Sequence, residues 1–409
     1  MRDRPQPASA WPRFASRGLE RMWGIGLSSR PEIDPDAIVA AAVRREGREP
    51  TDGCWRDRLS ILCRSINEEA ALNSLGRTIA YAQLVKLVAA RIRAARWFAG
   101  NPEILDRPLA PPVIIVGQMR SGTTRIHRLL ACDPHFATNR LFEQLDPVPY
   151  PQKVLGVDRR RPAAAAVSLA FRLFEPGLSA IHPSSADAVE EEFGLHAYSF
   201  WGPMFEGQWR VPSFVDHVEQ ADPAPIYREF ADLLRLTGWA RGDDPTRPWL
   251  LKAPQFSQEL GALIAAFPDA RIVNLCRPAA DVVASGASLI WHHARVQSDA
   301  VTRHDIGNEV LRKTRLREDR LSAALRTCDV AKRVDLHFDD VSRDWRQAIR
   351  SIYRTFDRSL SADVERRMEA FVARSTDHLG HRYSLEDFGL DRASITSAFT
   401  PRQVSPELT

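Results

Sequence analysis

Four short, largely apolar runs punctuate the chain after its first hundred residues: 113–116, 249–251, 271–275 and 333–338. Short runs of this kind predict buried strands of a parallel sheet. Between and after them, apolar residues recur at helical spacing over 123–131, 225–239, 258–267, 279–289 and 309–325. Strand and helix in alternation predict an α/β fold, three layers deep, with helices on both sides of a central parallel sheet.

Upstream the pattern differs. Residues 38–99 carry the helical period alone, as in RLSILCRSI and AQLVKLVAARIRAARWF, punctuated by Gly76 and by Gly100-Asn101. The proline cluster 108–112 marks the change of architecture. The organisation expected is a helical N-terminal region over 1–107 packed on the core, an α/β domain over 108–395, and a tail over 396–409. Inside the domain, 147–212 breaks the alternation and is rich in aromatics. It is too long for a plain connection and reads as an insertion that shapes a substrate pocket.

Composition adds limits rather than detail. The 409 residues, 44% hydrophobic and 26% charged, suit a globular protein with a large core. A net charge of +4 over this length is too small to imply nucleic-acid binding. The five cysteines are odd in number and scattered with no CxxC pair, so neither a disulfide framework nor a zinc site is expected. No apolar run reaches the ~20 residues of a membrane span, and no signal-peptide core opens the chain, so the expected location is cytoplasmic. Trp11, Phe14, Met22 and Trp23 recur at roughly helical spacing among Arg13, Arg17 and Arg21. That pattern predicts a helix docked on the protein body, with attachment to a membrane surface as the competing reading.

Candidate chemistry concentrates after the first strand. Gly117-Gln-Met-Arg-Ser-Gly122-Thr123-Thr124 leaves an apolar run and opens a helix, so several backbone N–H groups converge on one point. Arg120, Ser121, Gly122, Thr123 and Thr124 are therefore candidate anion-binding residues. The spacing is that of a Walker A loop, a P-loop type of cradle, but Thr123 stands where GxxxxGK[ST] has lysine. Loss of that lysine argues against the alternative of a P-loop kinase or NTPase, while phosphate binding survives.

The RSGTT loop resembles the 5′-phosphosulfate loop of sulfotransferases that use 3′-phosphoadenosine 5′-phosphosulfate (PAPS), nearest in form to the bacterial branch with PRSGTTLLHRLL. Arg277 and Ser285, eight residues apart in NLCRPAADVVASGASL, resemble that family's 3′-phosphate motif, although Pro278 and Ala279 replace its usual Asp-Pro. Lys252 in WLLKAPQF resembles the lysine placed near the leaving phosphate; Phe256 occupies a place where histidine is frequent, so this loop offers no histidine base. The resemblance makes Glu143 in NRLFEQLDP the catalytic base, with a structural role as the alternative and Asp146 as the other nearby carboxylate. Near the end, HLGHRYSLEDFGLD resembles the family's closing segment, which implies that Gly380 and His381 approach the nucleotide.

The resemblance implies a P-loop-type α/β/α fold and transfer of a sulfuryl group from PAPS to a hydroxyl or amine, with PAP as product and no metal. Lys252, Arg120 and Glu143 would be catalytic. A non-catalytic nucleotide-binding relative is the remaining alternative. The acceptor is expected to be a small molecule, a lipid or a carbohydrate, and a homo-oligomer is compatible with the sequence. The aromatic stretch with Glu190, Glu191 and Glu192 lies on the acceptor side, but the acidic trio itself is expected on a solvated helix face.

Overall fold

The computed structural model describes residues 11–47, 54–152, 156–174, 185–374 and 384–399. Its centre is a parallel sheet in which β1 (Val113–Gly117) lies between β2 (Leu250–Lys252) and β3 (Arg271–Cys276), with β4 (Arg333–His337) outside β3. Val113 stands opposite Leu250 and Arg271, and Ile115 opposite Lys252 and Val273. Because all four strands run the same way, Gly117, Lys252, Cys276 and His337 end on one edge. That edge is where open α/β sheets place their ligands.

Successive residues of each strand face opposite layers, and for β1, β2 and β3 both layers are apolar. Ile114, Val116, Leu251 and Ile272 pack with Tyr227, Phe230, Phe256 and Leu260. Val113, Ile115, Leu250 and Val273 pack on the other side with Ile126, Leu130, Ile349 and Met368. Two buried faces explain why β1, β2 and β3 read as continuous apolar runs. β4 departs from that expectation: as the edge strand it buries Val334 and Leu336 on one face and exposes Asp335 and His337 on the other.

Before the sheet come α1 (Trp11–Gly24), α2 (Pro35–Glu46), α3 (Cys54–Glu69), α4 (Ser74–Gly100) and the short α5 (Glu103–Asp106). Asp34 caps α2 by accepting from the amides of Asp36 and Ala37, and Asn73 caps α4 through the Gly76 amide. Their apolar faces share one core with residues between Ala197 and Ile226, and Trp55 of α3 stacks on Phe200 with ring centroids 5.8 Å apart. Two buried guanidiniums of α4 tie it to segments distant in the chain. Arg93 pairs with Glu46 at 3.0 Å and with Asp146 at 2.5 Å, and Arg91 pairs with Glu229 at 3.0 Å.

After β1 run α6 (Thr123–Leu130), α7 (Leu141–Leu145) and α8 (Arg160–Phe174), then α9 (Phe193–Tyr198), α10 (Pro203–Glu206) and α11 (Pro212–Gln220). Next come α12 (Ala224–Arg241), α13 (Pro254–Ala266), α14 (Ala279–Gln297) and α15 (Arg303–Thr327). The chain closes with α16 (Phe338–Arg343), α17 (Trp345–Thr355), α18 (Ala362–Arg374) and α19 (Arg392–Phe399).

His196 of α9 is fully buried among Tyr227, Phe230 and Phe256, with ring centroids 5.3 to 5.8 Å away. Burial lowers its pKa to about 4, from 6.5. Between those values the unfolded chain binds the proton and the folded chain does not, so stability falls as pH drops from 6.5 towards 4. At pH 5 the loss from this one group is about 2 kcal/mol. We therefore expect His196→Leu to destabilise less at pH 5 than at pH 7, relative to the parent, in urea unfolding. Equal destabilisation at both pH values would show that His196 does not titrate in this way.

Candidate active site

Strand β1 ends at Gly117 (φ +140°), where a side chain would bring Cβ within 2.5 Å of the Leu275 carbonyl. Gly122 (φ +93°) opens α6, and a Cβ there would stand 2.9 Å from the Phe338 ring. Neither position admits another residue without moving backbone or ring. No side chain caps α6, so the first amides of the helix face the loop's concavity. The Ser121 side chain is fully buried, and its Oγ has no hydrogen-bond partner among the described residues.

Arg120 sits at φ +71°, a conformation that costs a non-glycine residue roughly 1–3 kcal/mol. Contacts from distant sequence hold it there. Its carbonyl accepts from Arg277 Nη1 at 2.7 Å, and its Nε donates to Ser285 Oγ at 3.0 Å. The Arg277 guanidinium lies over the Phe338 ring, 3.9 Å from its centroid. Arg120, Arg277 and Ser285 thus form one cluster at the sheet's carboxyl edge, and Phe338 belongs to it.

Lys252 ends β2 and is only 4% exposed, so it is not a solvated strand terminus. Its Nζ donates to Thr124 Oγ1 at 2.9 Å and pairs with the Glu191 carboxylate, while its amide donates to Glu192 Oε2 at 2.7 Å. Behind it, His127 is buried, and burial together with the Lys252 charge holds its pKa down to about 3. It is a neutral packing residue at neutral pH. Phe256 fills the core between the His196, Tyr227 and Phe230 rings.

The acidic trio departs from expectation. Glu190 and Glu192 are buried, Glu191 nearly so, and all three precede α9 rather than lying on a solvated helix face. The physical cause is local pairing. A bridge between Arg140 and Val189 draws the segment against α7, Lys252 takes Glu191, and Arg128 lies 3.6 Å from Glu190. Burial pushes the Glu192 carboxyl well above the usual carboxylate range. The second oxygen of Glu191, Oε2, is buried with no hydrogen-bond partner among the described residues.

A cavity of about 680 Å³ starts at the loop and runs past Lys252. Arg120, Thr123, Thr124, Lys252, Glu190 and Glu191 line its near end. Phe193, Trp209, Val215 and Ile290 line it further out, together with the buried cations Lys313 and Arg317. Lys313 pairs with Glu206 at 2.7 Å and Glu219 at 2.6 Å, and Arg317 with Glu206 at 3.0 Å. Burial alone would raise the Glu206 pKa, and the charges of Lys313 and Arg317 more than reverse it.

Glu143 does not join this constellation. Leu141, Gln144 and Leu145 of α7 line the cavity, while the Glu143 carboxylate turns the other way. Its Oε1 accepts from Arg241 Nε at 2.9 Å, and its Oε2 accepts from the Arg140 amide at 2.9 Å and from Arg241 Nη2. Asp146 is taken by Arg93 and by the Tyr150 hydroxyl. Gly380 and His381 lie outside the described residues. The segment after them is described: Leu385 and Phe388 pack on α14 and α15, beside the helix that carries Ser285.

Sequence reasoning passed over two features. Lys313 and Arg317 stand one helical turn apart in a strongly charged helix, a spacing that ordinarily marks a solvated face. Glu191 carried a signal that was open to reading, since its triplet is bounded by Ala188-Val189 and by Phe193, an apolar frame unlike a solvated surface.

A family model described as "Sulfotransferase family" matches residues 111–362, more than half of the chain. Among solved structures, the chain is similar to sulfotransferase STF1 from Mycobacterium tuberculosis H37Rv. The two share 26% identity with a TM-score of 0.79, over 90% of this chain and 99% of that one. Sulfotransferase STF9 from Mycobacterium avium shares the fold, with 22% identity and a TM-score of 0.80, over 90% of this chain and 95% of that one. No curated protein matches the chain.

Proposed function

The chain belongs to the sulfotransferase family, and we propose that it moves a sulfuryl group from PAPS to a hydroxyl or amine of a small-molecule, lipid or carbohydrate acceptor. The observation that carries this reading is the convergence of the β1–α6 loop with Lys252 and Glu191 at one end of the cavity. The residues present fit the donor. Ser121 Oγ is a buried hydroxyl in want of a partner, and the uncapped α6 amides with Thr123 and Thr124 suit the 5′-phosphosulfate. Arg277 and Ser285 suit a 3′-phosphate, and Gly380 and His381 are proposed to complete that end.

In this reading the donor supplies an activated sulfuryl group, and the protein supplies position and charge. Lys252 and Arg120 stabilise negative charge on the departing phosphate. The carboxylate proposed to take the acceptor's proton is Glu191, which lines the cavity and keeps Oε2 unsatisfied. Glu143, the base implied by resemblance, has both oxygens engaged by Arg241 and the Arg140 amide. Thr123 in place of a Walker lysine speaks against the kinase alternative.

Ligand binding tests the reading directly. PAP at a hundredfold excess over its Kd should stabilise the fold by about 2.7 kcal/mol, which raises Tm by several degrees. Mg·ATP should do much less. Stabilisation by Mg·ATP alone would replace this function with that of a P-loop kinase or NTPase.

A further inference from the structure

We propose that the outward edge of α1 docks on an anionic lipid bilayer. This helix exposes large apolar side chains on its outer side as well as half-burying Leu19 and Trp23 on its inner one. Its most buried residues are small: Pro12 and Ser16 are buried, and Ser16 Oγ accepts from the amides of Ser74 at 3.0 Å and Leu75 at 3.3 Å. Glu20 accepts from the Ser74 hydroxyl at 2.8 Å. Polar contacts to the start of α4 therefore help to anchor α1 beside the half-buried Leu19 and Trp23, while Trp11, Phe14 and Met22 stand exposed.

Trp11 is 60% exposed, Phe14 71%, Ile25 77% and Leu27 69%. Apolar groups this large stand at both ends of one helix, with Met22 38% exposed between them, and together they line an edge of the kind that marks an interaction surface. The same stretch, 11–30, carries Arg13, Arg17, Arg21 and Arg30 against the single acid Glu20, and the ten residues before it add Arg2 and Arg4 against Asp3. Four arginines interleaved with exposed aromatic and aliphatic side chains match the interfacial layer of a negatively charged membrane. A second copy of the chain is a poorer occupant, because a two-fold contact through this edge would set the same arginines against each other. Among the described residues no helix is long and apolar enough to cross a membrane, so the contact is one of lying on the surface.

The position of this edge has a bearing on the cavity. α8 packs against α1 and exposes Leu169, while its neighbours Val167 and Ser168 line the cavity. A bilayer held by α1 would thus lie beside one wall of the proposed acceptor site. The docking itself does not depend on the sulfuryl-transfer reading.

The test is co-sedimentation of the full chain with vesicles of phosphatidylcholine alone or mixed with phosphatidylglycerol. Binding is expected to the mixed vesicles, to weaken at high salt, and to drop at least about tenfold in the Trp11→Ser/Phe14→Ser/Ile25→Ser/Leu27→Ser variant. These four side chains are mostly solvated, so the variant should keep the parent's circular dichroism and its Tm. Absence of binding, equal binding to both compositions, or unchanged binding by the variant would overturn the proposal. A dimer in solution that this variant disperses, without vesicle binding, would overturn it in favour of a second copy.

Discussion

Lys252→Ala is expected to lower kcat by two to three orders of magnitude, the effect of removing one preorganised charge from a buried transition-state site. The ammonium is held on Thr124 of the anion loop at one side and on Glu191 at the other, at 4% exposure. In the proposed reaction it meets negative charge that grows only as the sulfur–oxygen bond breaks. The loss should therefore appear in kcat more than in donor affinity. PAP should still raise Tm, since Ser121, the α6 amides, Arg277 and Ser285 are untouched. If kcat survives within threefold, the charge at Lys252 is structural and the assignment fails.

Glu191→Gln is expected to cost about 10²- to 10⁴-fold in kcat/KM, the span over which a positioned general base contributes. The amide keeps the shape and the contact with Lys252, but it cannot accept the proton. The paired experiment is Glu143→Gln, which should leave kcat/KM within a few fold and lower stability by roughly 1–3 kcal/mol. That cost follows from weakening a buried, charge-assisted contact with Arg241. If the two variants exchange these behaviours, Glu143 is the base and Glu191 is its structural counterpart. Kinetics and urea unfolding of the same two proteins settle the pair.

Three strands of the sheet were legible because they are buried on both faces, which leaves a mark in consecutive apolar letters; the edge strand β4 buries only Val334 and Leu336 and shows the alternation of one buried face. Helix ends were less so. α15 begins at Arg303 rather than 309, since its first two turns are mostly polar, and Thr302 caps it through the Asp305 amide. α13 begins at Pro254, where proline suits the first helical position, although the apolar period becomes visible only later. The anion loop was legible through glycines whose geometry admits nothing larger. Contacts between distant segments were not. Nothing local to Arg120 foretells a left-handed residue pinned by Arg277, and nothing local to Glu143 foretells Arg241, ninety-eight positions away. Such pairings arise from tertiary placement, which spacing along the chain does not encode.

The shared core of the N-terminal helices has a consequence for synthesis. Trp55, Leu59 and Leu62 leave the ribosome more than a hundred residues before Phe200, Trp201 and Phe205, which cover them. Until those partners arrive, α2 to α4 carry an unshielded apolar side, and Arg93 waits for Asp146. Domains usually fold as units while the chain is being made, and exposed apolar surface at that stage favours aggregation. A nascent chain stalled after the helical region would thus be a sticky intermediate needing a chaperone, and its native packing becomes available only when the aromatic stretch near residue 200 emerges.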